Sequence, residues 1–181
     1  MTEILSNYRI TPSTIALLPA RHFDYDTIVL EKGRELYIRK TPLQLIKRAC
    51  LEAGSSYDGR RQYIMYQTSF RHKVPIPIYP DQQIYAFPTH SPNDFNCQWI
   101  FYPHIDSLIS NHTASKKIHP SIIRFRNGDE LPLKESFYLL EKQIQRTAIC
   151  MLRYQSAIQN QFPSKNDRNE RTIHNELYSR D

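Results

Sequence analysis

Glycine is scarce in this 181-residue chain, with 4 in all against 12 prolines. That scarcity leaves no room for a GxGxxG turn or a Walker-type loop, whose glycines let backbone N–H groups close on phosphates. HExxH and GxSxG are absent too, so the common zinc-peptidase and serine-hydrolase arrangements are not written here. The cysteines Cys50, Cys97 and Cys150 are odd in number and far apart, which fits neither a disulfide framework nor a CxxC metal knuckle. They are expected to be reduced thiols in a core. No apolar run reaches the roughly 18 residues that cross a bilayer, and Met1 to Leu5 lacks a basic stretch followed by an apolar one. A protein without membrane contact, resident in the cytoplasm, is the expectation.

What is present is a foldable body with an uneven charge. Hydrophobic residues make up 40% and aromatic residues 12%, too many for a disordered chain, and the length suits one domain. The formal net charge is +6, but it is concentrated between residues 32 and 73, where ten basic side chains stand against three acidic ones. A basic segment inside an aromatic-rich body points to a polyanionic partner; a solvated basic face is the plain alternative.

Short apolar runs at 14–19, 27–30 and 35–39 predict a β-rich first third. Thr41 and Pro42 are an N-cap followed by proline at the first helical position, and Leu43, Ile46, Cys50 and Ala53 recur at helical spacing until Gly54. This predicts a helix over 42–53 with Gln44, Lys47 and Arg48 on its outer face. The segment 54–59 breaks that helix and delivers Arg60 and Arg61, and for 63–66 helix and strand both remain open. Prolines put 73–80 on a sheet edge or in an extended connection, while 83–88 and 97–102 read as central strands. Segments 122–126 and 131–133 flank Asn127 and Gly128; a three-residue loop with Gly128 left-handed sets Ile123 and Phe125 on the same face as Leu131 and Leu133. Ser136 then caps a long helix reaching about residue 161. Its expected inward stripe is Phe137, Leu140, Ile144, Ala148, Met151, Gln155 and Ile158, with Lys142, Gln145, Arg146 and Arg153 outside. The fold class is α+β, an antiparallel sheet with a short and a long helix in one domain over 1–162, followed by a mobile polar tail over 163–181.

Three chemistries compete. Cys97 with His104, His112 and His119 supplies thiol and imidazole for a metal or nucleophilic site, but no zinc module has these spacings, and core cysteine with ordinary histidines is the simpler reading. Asp24 with Asp26, and Asp129 with Glu130, sit in turn-like surroundings where solvated carboxylates are usual. Tyr57, Tyr63 and Tyr66 beside arginines could stack the bases of a single strand.

A series of segments in fixed order carries a resemblance. Pro42-Leu43-Gln44-Leu45-Ile46, Gly54-Ser55-Ser56-Tyr57-Asp58-Gly59-Arg60, Lys73-Val74-Pro75-Ile76-Pro77-Ile78, Gln83-Ile84-Tyr85-Ala86-Phe87-Pro88-Thr89 and Cys97-Gln98-Trp99-Ile100 resemble the ComK family of competence transcription factors, over about residues 10 to 160. The resemblance implies an activator of DNA-uptake genes that binds A/T-rich promoter boxes in double-stranded DNA, largely through the minor groove, as a homo-oligomer. It implies neither enzyme activity nor a cofactor or metal. Arg60 and Arg61 are then the expected groove-entering side chains, since narrow A/T minor grooves attract guanidinium groups. Lys47, Arg48, Arg71 and Lys73 are expected phosphate contacts. The long helix is expected to offer a dimer contact. Such proteins also dock an adaptor of a Clp protease through an aromatic-aliphatic segment near the C-terminus; between Pro163 and Asp181 no equally apolar segment stands, leaving Phe162 or the patch from Ile173 to Tyr178 as substitutes.

Overall fold

Two three-strand meanders, joined side by side, make the main sheet. The computed structural model describes residues 3–111 and 118–161, with side chains to 157. The tail over 163–181, its adaptor segment, and His112 lie outside the described residues. The first meander is β2 (Thr14–Pro19), β3 (Thr27–Glu31) and β4 (Arg34–Ile38), with the two-residue β1 (Ile4–Leu5) pairing parallel to β4. The second is β5 (Ile76–Tyr79), β6 (Ile84–Pro88) and β7 (Trp99–Phe101). An antiparallel β2–β7 contact, Ala16 opposite Ile100 and Leu17 opposite Trp99, fuses them into seven strands ordered β1-β4-β3-β2-β7-β6-β5. The central strands and the proline-bearing edge strand β5 match the sequence reading.

A second antiparallel sheet was not anticipated. It runs β10-β9-β8, with β8 at Ile105–Ser110, β9 at Ser121–Phe125 and β10 at Glu130–Leu133. Its hairpin has the expected register, Ile123 opposite Leu131, and Gly128 has φ +92. The Gly128 N–H donates to Phe125 O at 2.9 Å, and the Phe125 N–H to Asp129 O at 2.9 Å. The chain between β4 and β5 forms α1 (Pro42–Glu52) and α2 (Tyr57–Thr68), and α3 (Phe137–Gln161) closes the described part. Thr41 caps α1 as the sequence suggested, and Gln44, read there only as an outer-face residue, completes a reciprocal capping box with it.

Period-two alternation sends side chains of the large sheet into two cores. On one face Leu17, Val29, Ile38, Ala86, Trp99 and Phe101 pack with Leu45, Ile46, Ala49 and Cys50 of α1. On the other, Ile15, Phe87 and Ile100 meet Ile123, Phe125 and Leu133 of the small sheet and Leu140 of α3. A third cluster, Ile64, Val74 and Cys150, joins α2 to α3.

The inward line of α3 needs correction. It is Leu140, Gln143, Thr147 and Cys150, all buried, with Tyr154 following, rather than the expected stripe through Ile144, Ala148, Met151 and Gln155. Polar side chains occupy core positions because each is satisfied: Thr147 donates to Gln143 O at 2.7 Å, and Gln143 donates to Lys73 O and Pro88 O at 3.0 Å each. Phe137, Ile144, Ala148 and Met151 are half-buried flanks, Gln155 is exposed, and the side chain of Ile158 is outside the described residues.

All three thiols are buried and unpaired with one another. Burial pushes Cys50 and Cys97 up to about 11 and Cys150 up to about 12, against an ordinary 9.0. Burial likewise pushes the Tyr57 phenol up to about 12. A neutral thiol is the folded form, whereas the unfolded thiol ionises near its ordinary value, so this stability is complete below pH 9.0 and is lost as pH rises toward 11. A disulfide-exchange reagent at pH 8 should label no thiol quickly in the native protein and three in denaturant; fast native labelling of even one thiol contradicts this burial.

Candidate nucleic-acid interface

The residues from Gly54 to Arg61 turn the chain from α1 into α2. Gly54 has φ +80, a conformation glycine adopts without strain, and it ends α1. Ser56 caps α2 by accepting from the Gly59 N–H at 2.9 Å. A Cβ on Gly59 would lie 3.1 Å from Ser56 Oγ, so glycine leaves space for that cap. Tyr57 turns inward and meets Trp99 edge-on, with ring centroids 6.2 Å apart.

Arg60 also turns inward and is only 7% exposed. Its Nη1 donates to Pro77 O on β5 and its Nη2 to Ala53 O, each at 2.8 Å. Ala53 is the C-cap of α1, so the guanidinium sits at the negative end of that helix dipole. This corrects the expectation placed on Arg60: one helical position separates it from Arg61, but that rotation of 100° carries it from the surface into the junction of α1, α2 and β5. The stacking platform is corrected as well. Tyr57 is buried, Tyr63 is half-buried against Tyr154, and Tyr66, 85% exposed, is the one tyrosine of the three on the surface.

The remaining basic side chains divide into two groups. Arg48 donates to Glu52 at 2.9 Å, and Glu52 also faces Arg9 at 3.4 Å; the Arg48 guanidinium holds the Glu52 carboxyl below its ordinary value. The Arg48 charge is therefore locally balanced. Lys47 and Arg61 line one groove of about 310 Å³ with Leu43, Tyr57, Asp58 and the loop residues Ser91 to Asn93. Lys47 Nζ lies 6.0 Å from the Tyr57 ring centroid, within cation–π range. Arg61 reaches onward, its Nη2 donating to Arg71 O at 3.4 Å. Arg71 is exposed, and half-buried Lys73 donates to Thr89 O at 2.8 Å.

Arg146 joins this row and was missed. Read as an outer-face residue of α3, it instead lies 4.4 Å above the Phe70 ring and donates to His72 O at 2.6 Å and Gln143 Oε1 at 2.8 Å. Burial pulls its guanidinium below the ordinary value. Its helical phase relative to Cys150 was the available signal. Lys47, Arg61, Arg71, Lys73 and Arg146 thus form a continuous row from four segments of chain, and among the described residues none has a carboxylate at ion-pair distance. Such a row is an electrostatic footprint for phosphate backbone. Among the described residues no group of three or more His, Cys, Asp or Glu side chains is placed to hold a metal, and no helix is long and apolar enough to cross a membrane.

The family described as ComK protein matches residues 5–159. The competence transcription factor of Bacillus subtilis strain 168 is 30% identical over 164 residues, covering 90% of this chain and 83% of its own. No solved structure matches the chain.

Proposed function

The chain belongs to the ComK family, and from that membership we propose that it is a competence transcription regulator that activates DNA-uptake genes by binding A/T-rich boxes through the minor groove. The observation that carries this reading is the contact-linked group Lys47, Arg61, Arg71, Lys73 and Arg146, none of which has a carboxylate at ion-pair distance among the described residues. Arg61 and Arg71 supply guanidinium groups for a narrow, negative groove, and Lys47 and Lys73 supply phosphate contacts that set position and salt dependence. Arg48, already shared with Glu52, contributes to the surrounding field rather than to a separate contact. Paired boxes call for two copies, and the outer face of α3 offers Tyr138, Ile149 and Leu152 as an apolar contact between them. The protein would act on the nucleoid in the cytoplasm.

Binding to A/T-box and G/C-rich duplexes across a salt series tests the reading. Lys47→Ala is expected to weaken both about equally and to lower the salt slope by roughly one unit, the mark of a phosphate contact. Arg61→Ala is expected to weaken the A/T duplex more than the G/C duplex. Equal affinity of the wild type for both duplexes, or displacement by a major-groove ligand alone, rejects minor-groove recognition.

A further inference from the structure

The first five residues of the connection from α2 to β5, residues 69–73, are held in an unusual shape. Both ends are left-handed without being glycine, Ser69 at φ 61 and Lys73 at φ 48. Residues with a Cβ avoid this region unless their surroundings impose it. Here the surroundings do. Three successive carbonyls are each engaged by a donor from a different neighbour: Arg71 O by Arg61 of α2, His72 O by Arg146 and Lys73 O by Gln143, both of α3. Gln143 also holds Pro88 O, and Lys73 Nζ holds Thr89 O, so the hook is tied to the end of β6.

The consequence is that at Arg71, His72 and Lys73 the backbone carbonyls are occupied and the backbone N–H groups are not, while the Ser69 and Phe70 N–H groups are spent on Met65 O and Thr68 Oγ1. The backbone N–H groups of Arg71, His72 and Lys73 have no acceptor among the described residues. Arg71 and His72 are exposed, and the Arg71 guanidinium spends one contact on Met65 O at 3.4 Å. Successive free N–H groups in a left-handed turn form an anion-attracting concavity. An A·T pair shows only acceptors in the minor groove, adenine N3 and thymine O2, whereas G·C adds the guanine amino donor.

We propose that this hook is the element that enters the groove, that Arg71 is its reading side chain, and that the free N–H groups of residues 71–73 are what selects A·T over G·C. Gln143 and Arg146 are positioning residues that act through the hook carbonyls. The proposal rests on minor-groove recognition as proposed above, and its test separates the two.

The experiment measures affinity of the full chain for three duplexes of one length: an A/T box, the same box with G·C pairs, and the same box with inosine·cytosine pairs. Inosine lacks the guanine amino group, so it keeps the major groove of G·C but the minor groove of A·T. The wild type is expected to bind the A/T and inosine duplexes alike and G·C more weakly; inosine binding as weak as G·C overturns minor-groove recognition itself. Arg71→Ala and Gln143→Ala are each expected to shrink the A/T-over-G/C ratio about tenfold, the size of one lost base-edge contact. Arg71→Ala should also reduce the salt slope by roughly one unit, while Gln143→Ala, which removes no charge, should leave it unchanged. If the wild type passes the inosine test but both variants, folded by circular dichroism, keep their ratio within about twofold, the hook is not the reading element. Should Gln143→Ala fail to fold, exposed Arg71 decides alone.

Discussion

Arg60→Ala is expected to lower folding stability by about 3–5 kcal/mol while leaving the DNA affinity of the folded protein near that of the wild type. The change orphans two carbonyls, Ala53 O and Pro77 O, and empties the space between α1, α2 and β5. Each orphaned buried acceptor costs about 1–3 kcal/mol, and the lost packing adds to that. Arg60→Lys should rescue little, because a single ammonium on a flexible stem cannot bridge both carbonyls as the rigid guanidinium fork does. Urea denaturation followed through Trp99, the one tryptophan and fully buried, measures the loss directly. A variant with the wild-type urea midpoint that no longer binds A/T duplexes would place this guanidinium in the interface after all.

Leu140→Asp is expected to cost about 4 kcal/mol or more, enough to abolish cooperative folding of a domain of ordinary stability. Leu140 is 1% exposed and lies where the two sheets and α3 converge, so a carboxylate there has neither water nor a partner. Leu152→Asp, one face away and 65% exposed, should shift stability by no more than about 0.5 kcal/mol. Sedimentation of Leu152→Asp then reads self-association free of unfolding; a wild-type dimer that persists in this variant excludes the outer face of α3 as the contact between copies.

The sequence was most legible where local chemistry and period agreed. Thr41 with Pro42, the register around Gly128, and the edge position of a proline-bearing strand all follow from short-range rules that tertiary packing did not override. Helical phase on α3 was legible only in part, because Gln143 and Thr147 look like surface residues until their distant acceptors are known. β8 was missed: its strand Ile105–Ser110 alternates weakly, and its partner lies beyond a segment of intervening chain. At the candidate site, charge singled out a basic segment but did not tell which of its arginines is buried. The Gly54 to Arg60 segment, the most specific part of the family resemblance, serves to join two helices, and Arg60 is its internal fastener. Whether an arginine is a fastener or a contact depends on carbonyls far away in sequence, which composition does not reveal.

The seven-stranded sheet has consequences for how copies of the protein meet at high concentration. One of its free margins is β5, where Pro77 cannot donate, α1 and α2 pack alongside, and Arg60 already occupies the Pro77 carbonyl. The opposite margin is β1, two residues long, and the outer strand of the small sheet carries Pro132. Backbone templates for strand addition are therefore blunted at these three margins. At these margins strand addition between copies is disfavoured, which leaves any contact there to side-chain surfaces.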